Sequence, residues 1–386
     1  MTTSLRITWD AASARRAERQ HLTGPARPGT PVAEVVGAMR GAHAQVLSAA
    51  EVSVGMRADG VTRADVRAAL WEERSLIKTY GPRGTVHLLP THELPLFSAA
   101  LSAVPSGPSP FPPDARLTEE QVRQVVTAIS DALDGRYLTI DELSEEVVAR
   151  TGPWAGDRVM PAFQDMWPRW RQVMHRAGWA GTLCFGPNRG RKATFTRPAP
   201  GDLEADPSDA LAAFVDRYLH TYGPATPKHF ARWLAAPPGW AMALFDELAA
   251  AGRIEQVLFE AAPAWVAAGD TDFPDGPPRG VRLLPYFDAY VIAGQPRERL
   301  FPGQAYHRAL GGGQAGNYPV LLVDGVVAGV WHQRRRGRRT TVTVEPLVRL
   351  TARQKRELDE QAQRVGEVLE ATAELVVGEV TVGPHA

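Results

Sequence analysis

A chain of 386 residues with 43 basic and 43 acidic side chains has no formal net charge, which excludes indiscriminate attraction of the whole molecule to nucleic acid and leaves any such role to local patches. At 44% hydrophobic and 22% charged, it reads as a globular protein with sequence for about two to four compact units. A single cysteine, Cys184, excludes an internal disulfide framework and a cysteine-rich zinc site. Without an apolar leader or a run of about 18 apolar residues, the expected location is cytoplasmic, with no membrane partner.

In chain order, segment 8–22 mixes Trp9, Ala12, Ala17 and Leu22 with Arg15, Arg16 and Arg19, predicting a helix with a basic face. A Gly- and Pro-rich loop separates it from a second helix over 32–39. Ser48 followed by Glu51 has the capping-box form, so a helix is expected to begin at Ser48 and the preceding residues to be extended. His43 and Gln45 would then project to one side, with Ala44 and Val46 facing the packing behind them. Two convergent polar groups in a small-residue run make a candidate site. Thr62 can cap a helix to about Glu73, and 75–80 and 85–89 look like strand, turn, strand. Helices followed by a hairpin make a winged-helix unit, assigned to residues 1–115.

The pattern recurs over 116–205, where Thr118 with Gln121 and Thr139 with Glu142 open helices, 168–177 supplies a third, and a hairpin turns at 188–191. It recurs again over 206–270, with helices at 208–221 and 240–251 and strands at 253–260 and 264–268. From Val281 the character is β: strands over 281–293, 318–323, 326–333 and 339–344, with Asp324-Gly325 a hairpin turn, then a charged helix over 351–373 and a last strand over 374–382. The fold class is therefore α+β, three tandem winged-helix domains followed by a β-rich domain over 271–386.

Three winged helices in one chain point to double-stranded DNA, with protein interaction as the alternative use of the scaffold. Arg334, Arg335, Arg336, Arg338 and Arg339 crowd one hairpin tip, which could enter a minor groove or simply be a solvated turn. Arg189, Arg191 and Lys192 on the second wing are placed for phosphates. Arg83, Thr85 and His87 share a face of the first wing and either border the site or stabilise the wing. Trp331 and His332 are candidates for a wedge beside a lesion, although a strand tryptophan is commonly core. Asp288 reads as a structural partner of Arg297 or Arg299. Gly311-Gly-Gly313 lacks a P-loop's lysine and serine, and neither a metal nor a cofactor is called for.

The Gly41-Ala-His43-Ala-Gln45-Val-Leu-Ser-Ala-Ala50 run, the Arg83-Gly-Thr85-Val-His87 run and the Val281-Arg-Leu-Leu-Pro-Tyr-Phe-Asp288 run resemble the winged-helix DNA glycosylases of the AlkZ and YcaQ type, with matching spacing over almost the whole chain. The resemblance implies tandem winged helices around a concave DNA surface, a hairpin reaching the minor groove, and excision of N7-alkylated guanine, including bulky antibiotic adducts and crosslinks. In that family the catalytic pair is a glutamine followed two residues later by glutamine or aspartate. Here His43 departs at the first position and Gln45 matches the second, a change that bears on crosslink unhooking more than on glycosylase chemistry.

The chemistry fits a site without paired carboxylates. Ordinary glycosides need an acid for the leaving group and a carboxylate base or nucleophile. An N7-alkylated guanine already carries positive charge and leaves as a neutral base. The enzyme has only to place a water under C1′ and stabilise oxocarbenium character, with Gln45 orienting the water and a neutral His43 accepting its proton or holding the same water. The expectation is a monomeric, monofunctional glycosylase acting on duplex DNA. The alternative is a non-enzymatic winged-helix regulator, which would pair half-sites by dimerising.

Overall fold

Local capping chemistry decides where several helices start. Thr62, Thr118, Thr139 and Thr351 each form a capping box with Asp65, Gln121, Glu142 and Gln354, heading the helices Arg63–Trp71, Glu119–Ala132, Ile140–Thr151 and Ala352–Val368. A computed structural model describes residues 5–107, 109, 111–162, 165–199 and 206–384. The expected boundary at 205 falls in 200–205, outside the described residues.

The chain is a mixed α/β protein with three three-stranded sheets, a two-stranded hairpin and one five-stranded sheet among the described residues. Each three-stranded sheet joins a short strand to a hairpin. Ala42–His43 lies beside Val86–Pro90, which pairs Leu76–Tyr80; Leu138–Thr139 lies beside Lys192–Thr196, which pairs Cys184–Arg189. In the third, Arg6–Ile7 runs parallel to Ile254–Phe259, which pairs Ala262–Ala267. The N-terminal strand therefore joins a sheet from the far end of the helical region, instead of staying with the unit next to it in sequence. The five-stranded sheet runs Val281–Leu284, Val320–Val323, Val326–Arg336, Arg339–Pro346, Thr372–Val377, its last pair parallel and the rest antiparallel.

Several elements differ from the sequence expectation. The first helix, Trp9–Arg19, has no free basic face: Arg15 and Arg16 are buried, because Arg15 donates to the Asp270 carbonyl at 2.8 Å and Arg16 to the Gln295 and Pro224 carbonyls at 2.6 and 2.8 Å. The Val281 strand stops at Leu284 and gives way to a helix at Ala289–Ala293, capped by Asp288. The third helix of the second group is a 3-10 turn, Arg169–Val173, running into Met174–Trp179 through Gly178 rather than stopping there. An unanticipated hairpin pairs Arg158–Pro161 with Met166–Pro168.

The helix Leu47–Gly55 sets the frame for the site. Its Ala50 and Val54 pack with Val36, Ala44 and Leu88 on one side, while Val52 packs against Val365 and Val368 beneath the five-stranded sheet. Gly55 permits this approach, since a Cβ there would lie 2.6 Å from both methyl groups of Val368. The segment before the helix is thus clamped between the first sheet and the C-terminal region.

Candidate active site

Backbone pairing places the first histidine. Ala42 and His43 pair with Leu88 and His87, and the Ala44 N–H continues the ladder to the Val86 carbonyl at 2.7 Å. Val46 is extended, at φ −110° and ψ 103°, but the strand ends at His43 and Gln45 lies in a bend beyond it, exposed where His43 is buried. Ala44 is fully buried as expected; Val46 is not, being 46% exposed. The Ser48 capping box does not form. The helix begins at Leu47 after Val46, and Glu51, fully buried, accepts from Arg67 at 2.6 Å instead.

His43 is 9% exposed. Its ring meets His87 edge to face at 5.2 Å between centroids and stacks on Phe287 at 4.5 Å. Burial, reinforced by the neighbouring Arg83 guanidinium, pushes the His43 imidazole down to about 3, so it is neutral at physiological pH. Its Nδ1 has no hydrogen-bond partner among the described residues. His87 lies within a slot that only glycine permits: a Cβ on Gly81 would come within 2.8 Å of the ring. The His87 Nδ1 is 2.9 Å from the Thr85 carbonyl. In a neutral ring that contact carries the proton on Nδ1 and leaves Nε2 as an acceptor. Burial also holds this imidazole well below its ordinary value.

A small pocket, with room for about one water, is lined by His43, His87, Arg83, Phe287, Tyr222 and Trp233, among others, and, among the described residues, by no carboxylate. Gln45 is exposed two residues beyond, at the rim of the paired segment. Sequence reasoning missed Phe287, Tyr222 and Trp233. Phe287 stands in one of the quoted runs, but nothing in that run marks where its ring goes.

Phe287 is held by a buried lock. Its φ is +57°, a left-handed backbone, and the next residue, Asp288, makes a bidentate pair with Arg57 at 2.7 Å and accepts from the Ser53 hydroxyl at 2.5 Å. Both charged side chains are 0% exposed. Asp288 is therefore structural, but its partner is Arg57. Arg297 donates to the Val291 and Ile292 carbonyls and Arg299 pairs with Glu260.

The residues of the first hairpin separate. Arg83 leaves the strand for a turn, Pro82–Gly84, with φ +61°, and reaches the pocket. Thr85 instead closes that turn, its hydroxyl donating to the Pro82 carbonyl at 3.0 Å. On the hairpin over 184–196, Arg189 pairs with Glu142 and Lys192 with Asp141, both at 2.7 Å, while Arg191 is exposed at the turn. Those exposed pairs are weak and exchangeable. At the long hairpin, Arg334, Arg335, Arg336, Arg338 and Arg339 are all exposed and, among the described residues, make no ion pair. Trp331 does not belong to that surface: it is 1% exposed and its indole N–H donates to the Leu284 carbonyl at 2.9 Å, which makes it core. His332 beside it is half-buried. Among the described residues there is no cluster able to hold a metal and no helix long and apolar enough to cross a membrane.

Residues 36–368 match the family described as DNA glycosylase AlkZ-like. The chain is 32% identical over 344 residues to the interstrand DNA cross-link repair glycosylase of Streptomyces sahachiroi, covering 85% of this chain and 88% of that protein. It is also similar to the solved structure of Streptomyces sahachiroi DNA glycosylase AlkZ, with a TM-score of 0.77 and 28% identity, spanning 96% of this chain and 100% of that one.

Proposed function

The chain belongs to the AlkZ-like family of DNA glycosylases, and from that premise we propose that it hydrolyses the N-glycosidic bond of cationic N7-alkylguanine in double-stranded DNA, with His43 and Gln45 as the catalytic pair. The observation that carries this reading is the neutral, buried His43 in a pocket with space for one water and no carboxylate in its lining. Water oxygen bonds to C1′, the bond from C1′ to the base nitrogen breaks, and its electron pair neutralises the departing cation. The Gln45 carbonyl oxygen orients the water, His43 holds it as a neutral hydrogen-bond acceptor, and the water proton is released to solvent, since burial and Arg83 disfavour a charged His43 imidazole. A leaving group that departs neutral needs no general acid, which matches a site without a raised carboxyl. No lysine lines the pocket, in keeping with a monofunctional hydrolase that leaves an abasic site.

On this reading the three short-strand-plus-hairpin sheets are winged-helix units, over about 1–115, 116–205 and 206–270, the third completed by the N-terminal strand Arg6–Ile7, and they are followed by the β-rich region at 271–386. The long hairpin with Arg334, Arg335, Arg336, Arg338 and Arg339 enters the minor groove, with His332 at its base. Arg191 and the exchangeable Arg189 and Lys192 add backbone contacts. His87, whose Nε2 is an acceptor, assists the same water. Interstrand crosslinks are substrates by extension from the relative's name and bulky antibiotic adducts by the family resemblance, and the protein acts as a monomer in the cytoplasm, in DNA repair and antibiotic self-resistance. The family membership favours this over a non-enzymatic regulator.

The test is incubation with a duplex carrying one N7-methylguanine and, separately, one uracil, followed by alkali. Strand breaks at the methylated guanine alone support the reading; release of uracil or of normal bases contradicts the reliance on a cationic leaving group.

A further inference from the structure

Arg83 stands apart from the other interior arginines. Arg15, Arg16, Arg57 and Arg297 are each tied to carbonyl or carboxylate oxygens. The Arg83 guanidinium, among the described residues, makes no hydrogen bond and no ion pair, and burial depresses its protonation with no carboxylate acting against that. A partly buried cation without a counterion is costly to hold. Its backbone adds to the cost, because φ +61° is a conformation that side chains other than glycine rarely adopt. The strained turn aims the side chain to a particular place: Arg83 lines the His43 pocket and also the larger groove outside it, next to Leu234 and Ala235.

A second positive charge lies on the neighbouring helix. The helix Pro227–Leu234 packs against the Pro82–Gly84 turn. Its Arg232 is exposed, and Arg83 and Arg232 both lie close enough to Arg297 to depress its protonation. Of these three guanidinium groups only Arg83 lines the pocket; Arg297 is tied to the Val291 and Ile292 carbonyls, and Arg83 and Arg232 have no carboxylate partner among the described residues. The Arg83 charge also conflicts with the chemistry, since a bare cation near C1′ opposes the positive charge that develops on the sugar.

We propose that Arg83, with Arg232, is the anchor for one backbone phosphate of the lesion strand, so that the reacting sugar becomes electrostatically acceptable only when DNA brings its own counterion into the mouth of the pocket. This rests on the reading of His43 and Gln45 given above, and it makes the phosphodiester backbone part of the substrate requirement. A charge-assisted guanidinium–phosphate contact at a partly desolvated position is worth about tenfold in affinity or more.

The test uses duplexes containing a tetrahydrofuran abasic analogue, with single phosphates around it replaced one at a time by neutral methylphosphonate. Affinity is measured over a salt series for the unmutated protein, Arg83→Gly, Arg83→Lys and Arg232→Gln. Glycine relieves the φ +61° strain, so loss of binding without loss of urea stability separates the contact from folding. The expected result is one phosphate whose neutralisation costs the unmutated protein about tenfold and costs Arg83→Gly nothing further, with the salt slope shallower by about one. Arg83→Lys keeps part of that sensitivity and Arg232→Gln, a surface change, weakens it. Arg83→Gly responding to every methylphosphonate as the unmutated protein does overturns the proposal. Failure of the unmutated protein to release N7-methylguanine overturns the reading of the catalytic pair instead, while the phosphate map still decides the role of Arg83.

Discussion

Phe287 stacks on the His43 imidazole at 4.5 Å between ring centroids, although one comes from the C-terminal region and the other from the first sheet. The contact ties the environment of the histidine to the Arg57–Asp288 lock that fixes the Phe287 backbone. Asp288→Asn leaves the Arg57 guanidinium without its charge partner in an interior where both are 0% exposed. A loss of about 3–5 kcal/mol in urea unfolding is expected, whereas Phe287→Leu should cost far less stability and still slow excision. A loss below about 1 kcal/mol for Asp288→Asn would show that the pair behaves as a surface contact.

The pH dependence has a definite sign. Burial lowers the folded-state value of His43 to about 3, that of His229 to about 4, and that of His87 well below the ordinary 6.5. Between those values and 6.5 the unfolded chain binds more protons than the folded one, so stability is fully present above about 6.5 and is lost as pH falls toward 3. Urea midpoints should therefore decline from pH 6.5 downward, and His229→Gln should flatten that decline. Catalysis by a neutral His43 should show no inflection near 6.5 in kcat/KM; a drop by half there would mean an ordinary, exposed histidine.

The long hairpin should contribute affinity without lesion selectivity. Replacing Arg335 and Arg338, both exposed at the tip, by Ala should weaken binding to damaged and undamaged duplex alike and reduce the salt slope by about one per lost phosphate contact. A selective loss on damaged DNA would place the tip at the lesion instead.

Trp331 gives the opposite pattern. Being 1% exposed and hydrogen-bonded to the Leu284 carbonyl, it should cost about 3–5 kcal/mol on replacement by Ala. Circular dichroism and urea unfolding would detect that before any DNA assay, and an unchanged midpoint would contradict its placement in the core.

The sequence was most informative where the physics is local. Thr62, Thr118, Thr139 and Thr351 announce their helices because each box closes within four residues, whereas the extended setting of His43, argued in the sequence from a box at Ser48, is secured instead by pairing with His87, the helix starting at Leu47. Ser48 and Glu51 carry the same signature and form no box, because Arg67 claims the Glu51 carboxylate from another helix. That competition leaves no local trace. Neither does the pairing of Asp288 with Arg57, chosen over the nearer Arg297 and Arg299, nor the burial of Arg15 and Arg16 under carbonyls contributed by loops far along the chain. The left-handed turn at Arg83 is equally unmarked, since arginine is an improbable residue for it. The elements that escape a reading of the sequence are thus those whose partners lie far away in the chain, and the site is built largely from them.

The central claim is that His43 and Gln45 perform the hydrolysis. Its most direct measurement is single-turnover release of N7-methylguanine from duplex DNA by His43→Ala and Gln45→Ala, each first shown to fold and to bind a tetrahydrofuran duplex as the unmutated protein does. Each variant should lose about a hundredfold or more in rate with little change in affinity. Full-rate release by either folded variant would contradict the account and move the chemistry to other residues of the pocket.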